Sequence, residues 1–193
     1  MLYQIHRYPA DLIDVVHIDG HRVVIRPVLP QDEQLTATFF SALPSAARYD
    51  RFMSPMRNLP PELVKRFTNI DYAQHVALVA ETFEEGCETV VAEARYVVRD
   101  GTEAEFAVSV DPAWQGKGIA SRLLSKLICR AGQAGLHRVV GETLATNATM
   151  QHLARKAGFV IRRSTDVSGV LLLERALSVN TGCGEDSVGA QAA

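Results

Sequence analysis

Two glycines, Gly116 and Gly118, flank a lysine where a strand-like apolar run gives way to a helix-like one. Glycine gives up side-chain packing and costs conformational entropy, so its use here indicates a need for bare backbone. A glycine-rich turn that begins a helix directs several unpaired N–H groups, together with the positive end of the helix dipole, at one spot. The chemistry that this pattern favours is the binding of a phosphate group.

Several sequence patterns place glycines in such a turn. A P-loop is excluded, because the lysine precedes the second glycine and no glycine lies five residues earlier. A dinucleotide fingerprint, G-x-G-x-x-G, fits both glycines but has Ser121 in its third place, with Glu142 near the place of a ribose-binding acid. The third pattern is Q-x-x-G-x-A, which begins at Gln115. A plain strand-to-helix turn that binds nothing is the remaining interpretation.

Hydrophobic patterning predicts the elements that must position this turn. Strands are predicted at 21–27, 75–82, 88–99, 103–110 and 137–144 and in the segments FVIRR and VSGVLLLERAL. Helices are predicted after Pro30, over SAARYDRF, after Pro60, from Ile119 to near Gly135 and after Asn147. Hairpin signals demand antiparallel pairs, and the strand–helix–strand segment around the turn demands a parallel pair. The predicted fold class is therefore α/β (α+β), with a mixed, mainly antiparallel central sheet of about seven strands and helices on both faces.

Composition limits the classes of partner. The chain has 193 residues, 47% of them apolar, and a formal net charge of -2, which favours one domain and gives no electrostatic case for binding nucleic acid. No apolar run approaches the ~20 residues that span a bilayer, and the first residues lack a signal-peptide pattern, so we predict a cytoplasmic protein without a membrane partner. The histidines and cysteines show no metal-ligand spacing, and no metal site is predicted.

Two segments together resemble a known family. The run from Gln115 to Ala120, preceded by Val110 and Pro112, resembles motif A of the GNAT family of acyl-CoA-dependent N-acetyltransferases, and NATMQHLARKAGF (147–159) resembles its motif B. The resemblance covers roughly residues 22–175 and implies a GNAT-like fold, with residues 1–177 as a single N-acetyltransferase domain. Residues 178–193 are small and polar, and their composition predicts a disordered tail.

The resemblance implies acetyl-CoA as cosubstrate and no metal. In the family, the loop amides bind the CoA pyrophosphate, and the pantetheine arm lies between two splayed strands against the main chain of the strand before the loop. Asn147 matches a residue that contacts the pantetheine region, although it also suits an ordinary helix N-cap. The cofactor-binding residues predicted on this basis are Val108, Val110, Gln115, Gly116, Lys117, Gly118, Ile119, Ala120, Ser121 and Asn147.

Acyl transfer to an amine requires a base, because a protonated amine, with a pKa near ~10.4 for lysine, has no lone pair. Glu105 is the predicted base, since Phe106 and Val108 beside it suggest an apolar setting, which raises the pKa of a carboxylate. Glu103, on the same face of the strand, and Glu93, on the preceding strand, are the alternatives. Glu103 and Glu105 could instead both face solvent.

Two segments in the first half of the chain resemble one particular group within the family. RYDRFMSP (48–55) and RFTNIDYAQHVALVAE (66–81) are similar to the catalytic domain of bacterial protein lysine acetyltransferases, in which a glutamate matching Glu105 is the base. The chain departs from that group at 71–75, which reads DYAQH where Asp-Tyr-x-Arg-Glu is frequent. It also has Ala154 where many family members have a tyrosine that protonates the leaving thiolate. Four residues could line the acceptor side or simply pack helix ends against the sheet: Arg48, Arg51, Phe52 and Tyr72.

The predicted function is the transfer of an acetyl group from acetyl-CoA to a primary amine, which could be a protein lysine, by direct attack with Glu105 as general base. A small-molecule amine acetyltransferase and a non-catalytic acyl-CoA-binding sensor are the alternatives. The predicted partners are acetyl-CoA and the amine acceptor, in a protein that is a monomer or a homodimer.

Overall fold

A single mixed sheet of eight strands forms the centre of the molecule. The computed structural model describes residues 7–84 and 86–177, so the predicted tail at 178–193 lies outside the described residues. The strands are β1 (Asp14–Ile18), β2 (His21–Pro27), β3 (His75–Glu84), β4 (Cys87–Val98), β5 (Glu103–Val110), β6 (Arg138–Leu144), β7 (Val160–Arg163) and β8 (Val170–Ala176). The helices are α1 (Glu33–Ala42), α2 (Ser45–Phe52), α3 (Pro61–Thr68), α4 (Ile119–Gln133) and α5 (Ala148–Lys156).

The order of strands across the sheet is β1-β2-β3-β4-β5-β6-β8-β7. The pair β5–β6, on either side of α4, is parallel, and the other neighbours are antiparallel. The predicted fold class is therefore confirmed. The eighth strand, β1, lies within the first twenty residues, where the pattern gave no assignment.

Two hydrophobic clusters cover the two faces of the sheet. On one face, α4 buries Leu123, Leu124 and Leu127 against the central strands, and Ala154 of α5 joins the same cluster. On the other face, Phe39 and Phe40 of α1 and Val64 of α3 pack against β3. The helices thus lie on both sides of the sheet, as the patterning predicted.

Strands β5 and β6 are paired over only part of their length. Pairing runs from Glu103 to Glu105 on β5, although β5 continues to Val110. Directly beyond the last pair, the ring of Phe106 packs on Gly141 of β6, where an added Cβ would lie 2.6 Å from a ring carbon. A larger residue at position 141 would displace that ring, so glycine lets it rest on the β6 backbone. Beyond this contact, a cleft separates the two strands.

Within residues 7–84 and 86–177, no helix is both long enough and apolar enough to cross a membrane.

Candidate active site

The two glycines that flank Lys117 shape the loop before α4. Gly116 and Gly118 have φ angles of 75° and 84°, which side chains of L-residues rarely adopt. No atom lies within 4 Å of an added Cβ at either position, so the backbone conformation, rather than lack of room, requires glycine. Gly118 is the N-cap of α4, and Arg122 N–H donates to its carbonyl. The N–H groups of residues 119–121 therefore have no partner within the helix.

A cavity of about 370 Å³ begins at this loop and follows the cleft between β5 and β6. Its walls come from the loop, from the second half of β5, from Glu142 and Thr143 of β6, from α5, and from α2 together with Leu43 just before it. Nine of the ten predicted cofactor-binding residues line it: Val108, Val110, Gln115, Gly116, Gly118, Ile119, Ala120, Ser121 and Asn147. Its volume is within the range of small-molecule sites.

The side chain of Lys117 is not part of this lining. Its Nζ lies 2.8 Å from the carboxylate of Asp19, in the turn between β1 and β2, and 5.1 Å from the ring centre of Trp114. The lysine is thus held against the N-terminal hairpin, and its predicted role in binding CoA remains a prediction.

The main chain of β5 offers hydrogen-bonding groups to the cleft. Asp111 N–H donates to Val91 at the end nearest the loop, and Thr102 O accepts from His137 just before β6. Because backbone groups of successive strand residues alternate in direction, odd-numbered residues of β5 are directed towards β4 and even-numbered residues towards β6. The N–H and C=O groups of Val108 and Val110 therefore face the cleft.

Two buried hydroxyl groups in the cavity wall lack hydrogen-bond partners. Ser109 Oγ, on β5, and Thr143 Oγ1, on β6, are both unpaired within the described residues, at 7% and 1% residue exposure. Leaving a buried hydroxyl unpaired costs roughly 1–3 kcal/mol. A ligand with amide and carbonyl groups in the cleft would satisfy them. The residues present thus fit a pantetheine arm.

Asn147 acts as the N-cap of α5, because its Oδ1 accepts from the N–H of Met150 at 2.9 Å. It also lines the cavity. Its capping role is confirmed, and its contact with pantetheine remains a prediction.

Glu105 faces a second, smaller cavity of about 210 Å³. Its Oε2 accepts from Nε and NH2 of Arg99, at 3.0 and 2.7 Å, and its side chain is 44% exposed. The apolar setting expected from Phe106 and Val108 is therefore wrong, because side chains of even-numbered residues on a strand point to the opposite face from Glu105. Glu105 Oε1 has no hydrogen-bond partner among the described residues.

The two alternative bases are held in ion pairs. Glu103 pairs with Arg138 and lies 3.9 Å from Arg99. Glu93 is 1% exposed, pairs with Arg95, and is not among the residues that line either cavity. Glu93 Oε2 has no hydrogen-bond partner among the described residues, but this buried residue lines neither cavity, so of the three glutamates Glu105 has the free oxygen that a substrate in a cavity can reach.

The Glu93–Arg95 pair belongs to a buried charged cluster beneath α2 and α3. Arg95 donates to Nε2 of His75 at 3.0 Å, and its guanidinium lies 3.5 Å from the ring centre of Phe67. Burial, and next the charge of Arg95, lower the pKa of His75 to about 4. His75 is therefore neutral and accepts the hydrogen bond from Arg95.

The low pKa of His75 links stability to pH. The unfolded histidine titrates near ~6.5, so between pH 6.5 and about 4 the unfolded state binds more protons than the folded state. The free energy of unfolding should thus rise with pH across this window, and His75 should cost up to about 2 kcal/mol near pH 4.5. Urea unfolding of the wild type and of His75→Gln near pH 7 and pH 4.5 measures this. An equal pH dependence in both proteins would contradict it.

All four residues that could line the acceptor side are used for packing. Arg48 donates to the carbonyls of Ser41, Leu43 and Met56, Phe52 stacks on Phe67, and Tyr72 donates to Val28 O at 2.8 Å. Arg51 packs over the rings of Phe52 and Phe67 and in addition lines the main cavity beside Asp50. Burial lowers the pKa of Arg51, while the charges of Glu93 and Glu105 oppose that shift.

Several cavity residues were not predicted. Trp114 stands at the mouth of the loop beside His21, and Thr149, His152 and Lys156 form one face of α5 towards the cavity. The helical spacing of the α5 residues is visible in the sequence, although nothing there says what the face contacts. Glu142 lines both cavities, as Leu173 does. It entered the sequence analysis only as a ribose-binding acid.

Comparison with known proteins gives a consistent match. Residues 44–159 match the acetyltransferase (GNAT) family. An acetyltransferase of Pseudomonas aeruginosa is 32% identical over 161 residues, which cover 82% of this chain and 86% of that protein. The acetyltransferase Pat of Mycolicibacterium smegmatis is 34% identical over 144 residues, which cover 73% of this chain and 42% of that protein. The chain thus matches less than half the length of the mycobacterial protein.

Solved structures agree with the sequence matches. The crystal structure of the GNAT domain of PAT from S. lividans has a TM-score of 0.79 and 31% identity, and the match covers 89% of this chain and all of that domain. A ribosomal L7/L12 acetyltransferase, RimL, in complex with coenzyme A, has a TM-score of 0.65 at 13% identity, which shows a shared fold alone.

Proposed function

The chain belongs to the acetyltransferase (GNAT) family, and from that premise we propose that it transfers an acetyl group from acetyl-CoA to a primary amine, with Glu105 as the general base. A protein lysine side chain is the first acceptor class to test, because the chain is similar to a Pat acetyltransferase and to a PAT GNAT domain. The observation that carries the proposal is that the cavity from the glycine loop meets, at Glu142 and Leu173, the cavity that contains Glu105.

The residues of the main cavity would hold the acyl donor. The free N–H groups at the start of α4 suit its diphosphate, and the cleft-facing backbone of Val108 and Val110 suits the pantetheine amides. Ser109 and Thr143 add one hydroxyl each. A backbone N–H of β5 in the cleft is the donor available to the oxyanion that develops during acyl transfer.

Glu105 would act on the acceptor. Its free Oε1 accepts one proton from the ammonium group, and the amine nitrogen regains its lone pair and attacks the acyl carbon. A C–N bond forms, the C–S bond breaks, and the nitrogen gives up its second proton to solvent, which protonates the leaving thiolate, so that a neutral amide and free thiol result. Ala154 stands where many relatives supply a tyrosine for that last step, and it is fully buried.

A turnover assay tests the proposal. The protein is incubated with acetyl-CoA and a panel of lysine peptides, amino acids and simple amines, while thiol release and acceptor mass are followed together. We expect stoichiometric thiol release and an acceptor mass gain of one acetyl group, with lysine peptides preferred. Modification of small amines alone would replace the protein-lysine proposal with a small-molecule acetyltransferase. Binding of acetyl-CoA without transfer to any acceptor would leave an acyl-CoA sensor.

A further inference from the structure

We propose that Glu142 is the residue that binds the ammonium group of the acceptor and presents it to Glu105. This inference rests on the proposed function and adds a specificity-determining residue to the same site. No feature of the family motifs points to Glu142. Its position between the two cavities does.

Glu142 lies where β5 and β6 separate. The last paired residues are Glu105 and Val140, and Glu142 comes two residues later on β6. Since side chains two apart on a strand share a face, Glu142 is on the same face of the sheet as Glu105. Continued pairing would put Ala107 opposite Glu142, and a methyl side chain leaves room between the two carboxylates. Helix α2 packs over this part of β5 and β6.

Glu142, unlike the other glutamates that line the smaller cavity, has no arginine within ion-pair distance among the described residues. Glu103, Glu105 and Glu174 each lie within ion-pair distance of an arginine. Glu142 is exposed and has no hydrogen bond or ion pair with any described residue. An approaching cation therefore gains a full negative charge there without displacing an arginine.

Two carboxylates on this face can share one ammonium group. A primary ammonium group has three N–H donors. Glu142 and Glu105 Oε1, on neighbouring strands, supply two free acceptors along this face, and water can accept from the third donor. Asp50 and Arg51, also in the wall of the main cavity, carry opposite charges.

The roles of the two carboxylates differ. Glu142 holds the nitrogen, while Glu105 receives the proton that must leave before attack. Loss of the Glu142 charge should thus weaken acceptor binding, whereas loss of the Glu105 carboxylate should slow the chemical step.

The variant Glu142→Gln tests this with two acceptors, Nα-acetyl-lysine amide, which is cationic, and methoxyamine, whose nitrogen is uncharged at neutral pH. We expect KM for the lysine amide to rise about tenfold, as for loss of one charge-assisted hydrogen bond. We expect kcat, and kcat/KM for methoxyamine, to stay within about twofold, because neither depends on binding a cation. Glu142→Asp, which keeps the charge, should recover most of the affinity.

Glu62→Gln is the matched control, since it removes one negative charge from an exposed position on α3. Its KM for both acceptors should equal that of the wild type. An unchanged KM for lysine amide in Glu142→Gln overturns the inference, as does an equal loss with both acceptors or weaker acetyl-CoA binding. In those cases wild-type turnover still supports the proposed function. If the wild type itself acetylates no amine, the proposed function fails and the inference fails with it.

Discussion

Replacing Glu105 by glutamine is expected to lower kcat by about 10²–10⁴-fold, the usual contribution of a positioned general base. Glutamine keeps the shape of the side chain but cannot accept the proton of the ammonium group. Because the Glu105 side chain is 44% exposed and, among the described residues, is hydrogen-bonded to Arg99 alone, the substitution should leave the fold intact. Steady-state kinetics with the best acceptor from the panel, at saturating acetyl-CoA, measures the effect.

The affinity for acetyl-CoA serves as the control for this variant. Glu105 lies in the smaller cavity and not in the wall of the main one, so the dissociation constant of acetyl-CoA should not change. The pH profile of kcat/KM should also lose its acidic limb if Glu105 is the group that must be ionised. Full turnover with an unaltered profile would assign the proton to another group.

Replacing Gly118 by aspartate is expected to weaken acetyl-CoA binding roughly 100-fold, because a fixed carboxylate would stand near the diphosphate in a partly dehydrated site. The same change should cost about 1–2 kcal/mol of stability, because the positive φ of Gly118 strains any side chain, although aspartate and asparagine less than most. No atom within 4 Å obstructs the new Cβ. Calorimetric titration and thermal unfolding measure the two quantities separately.

Gly118→Asn is the matched control for the aspartate variant. It has nearly the same shape and the same capping ability without the charge, so its affinity for acetyl-CoA should stay within about tenfold of the wild type. The difference between the two variants should also shrink as salt is added. Equal affinities for Gly118→Asp and Gly118→Asn would mean that no phosphate is bound at this loop.

Local pattern was enough to predict most elements of the fold. The family and the mixed sheet are confirmed, because hairpin turns, the period of α4 and the two motifs are all local signals. Strand β1 was missed, because polar and apolar residue types do not alternate in its short DVVHI segment, although side-chain exposure along the strand does. Its place in the sheet depends on pairing with β2.

The candidate site was predicted less completely, because its chemistry depends on contacts between distant strands. The glycine loop could be read from residue types alone. The surroundings of Glu105 could not, since Arg99 reaches it from across the β4–β5 hairpin while its sequence neighbours point away. Gly141, Thr143 and Glu142 acquire their roles only through where β6 parts from β5.

The two cavities lie towards opposite ends of β5 and share only Glu142 and Leu173. Under the proposed function, each substrate would enter through its own cavity, and the presence of one would not block the other. Such an arrangement suits a catalytic cycle in which both reactants bind to the protein before either product leaves. No covalent acyl-protein intermediate is then needed.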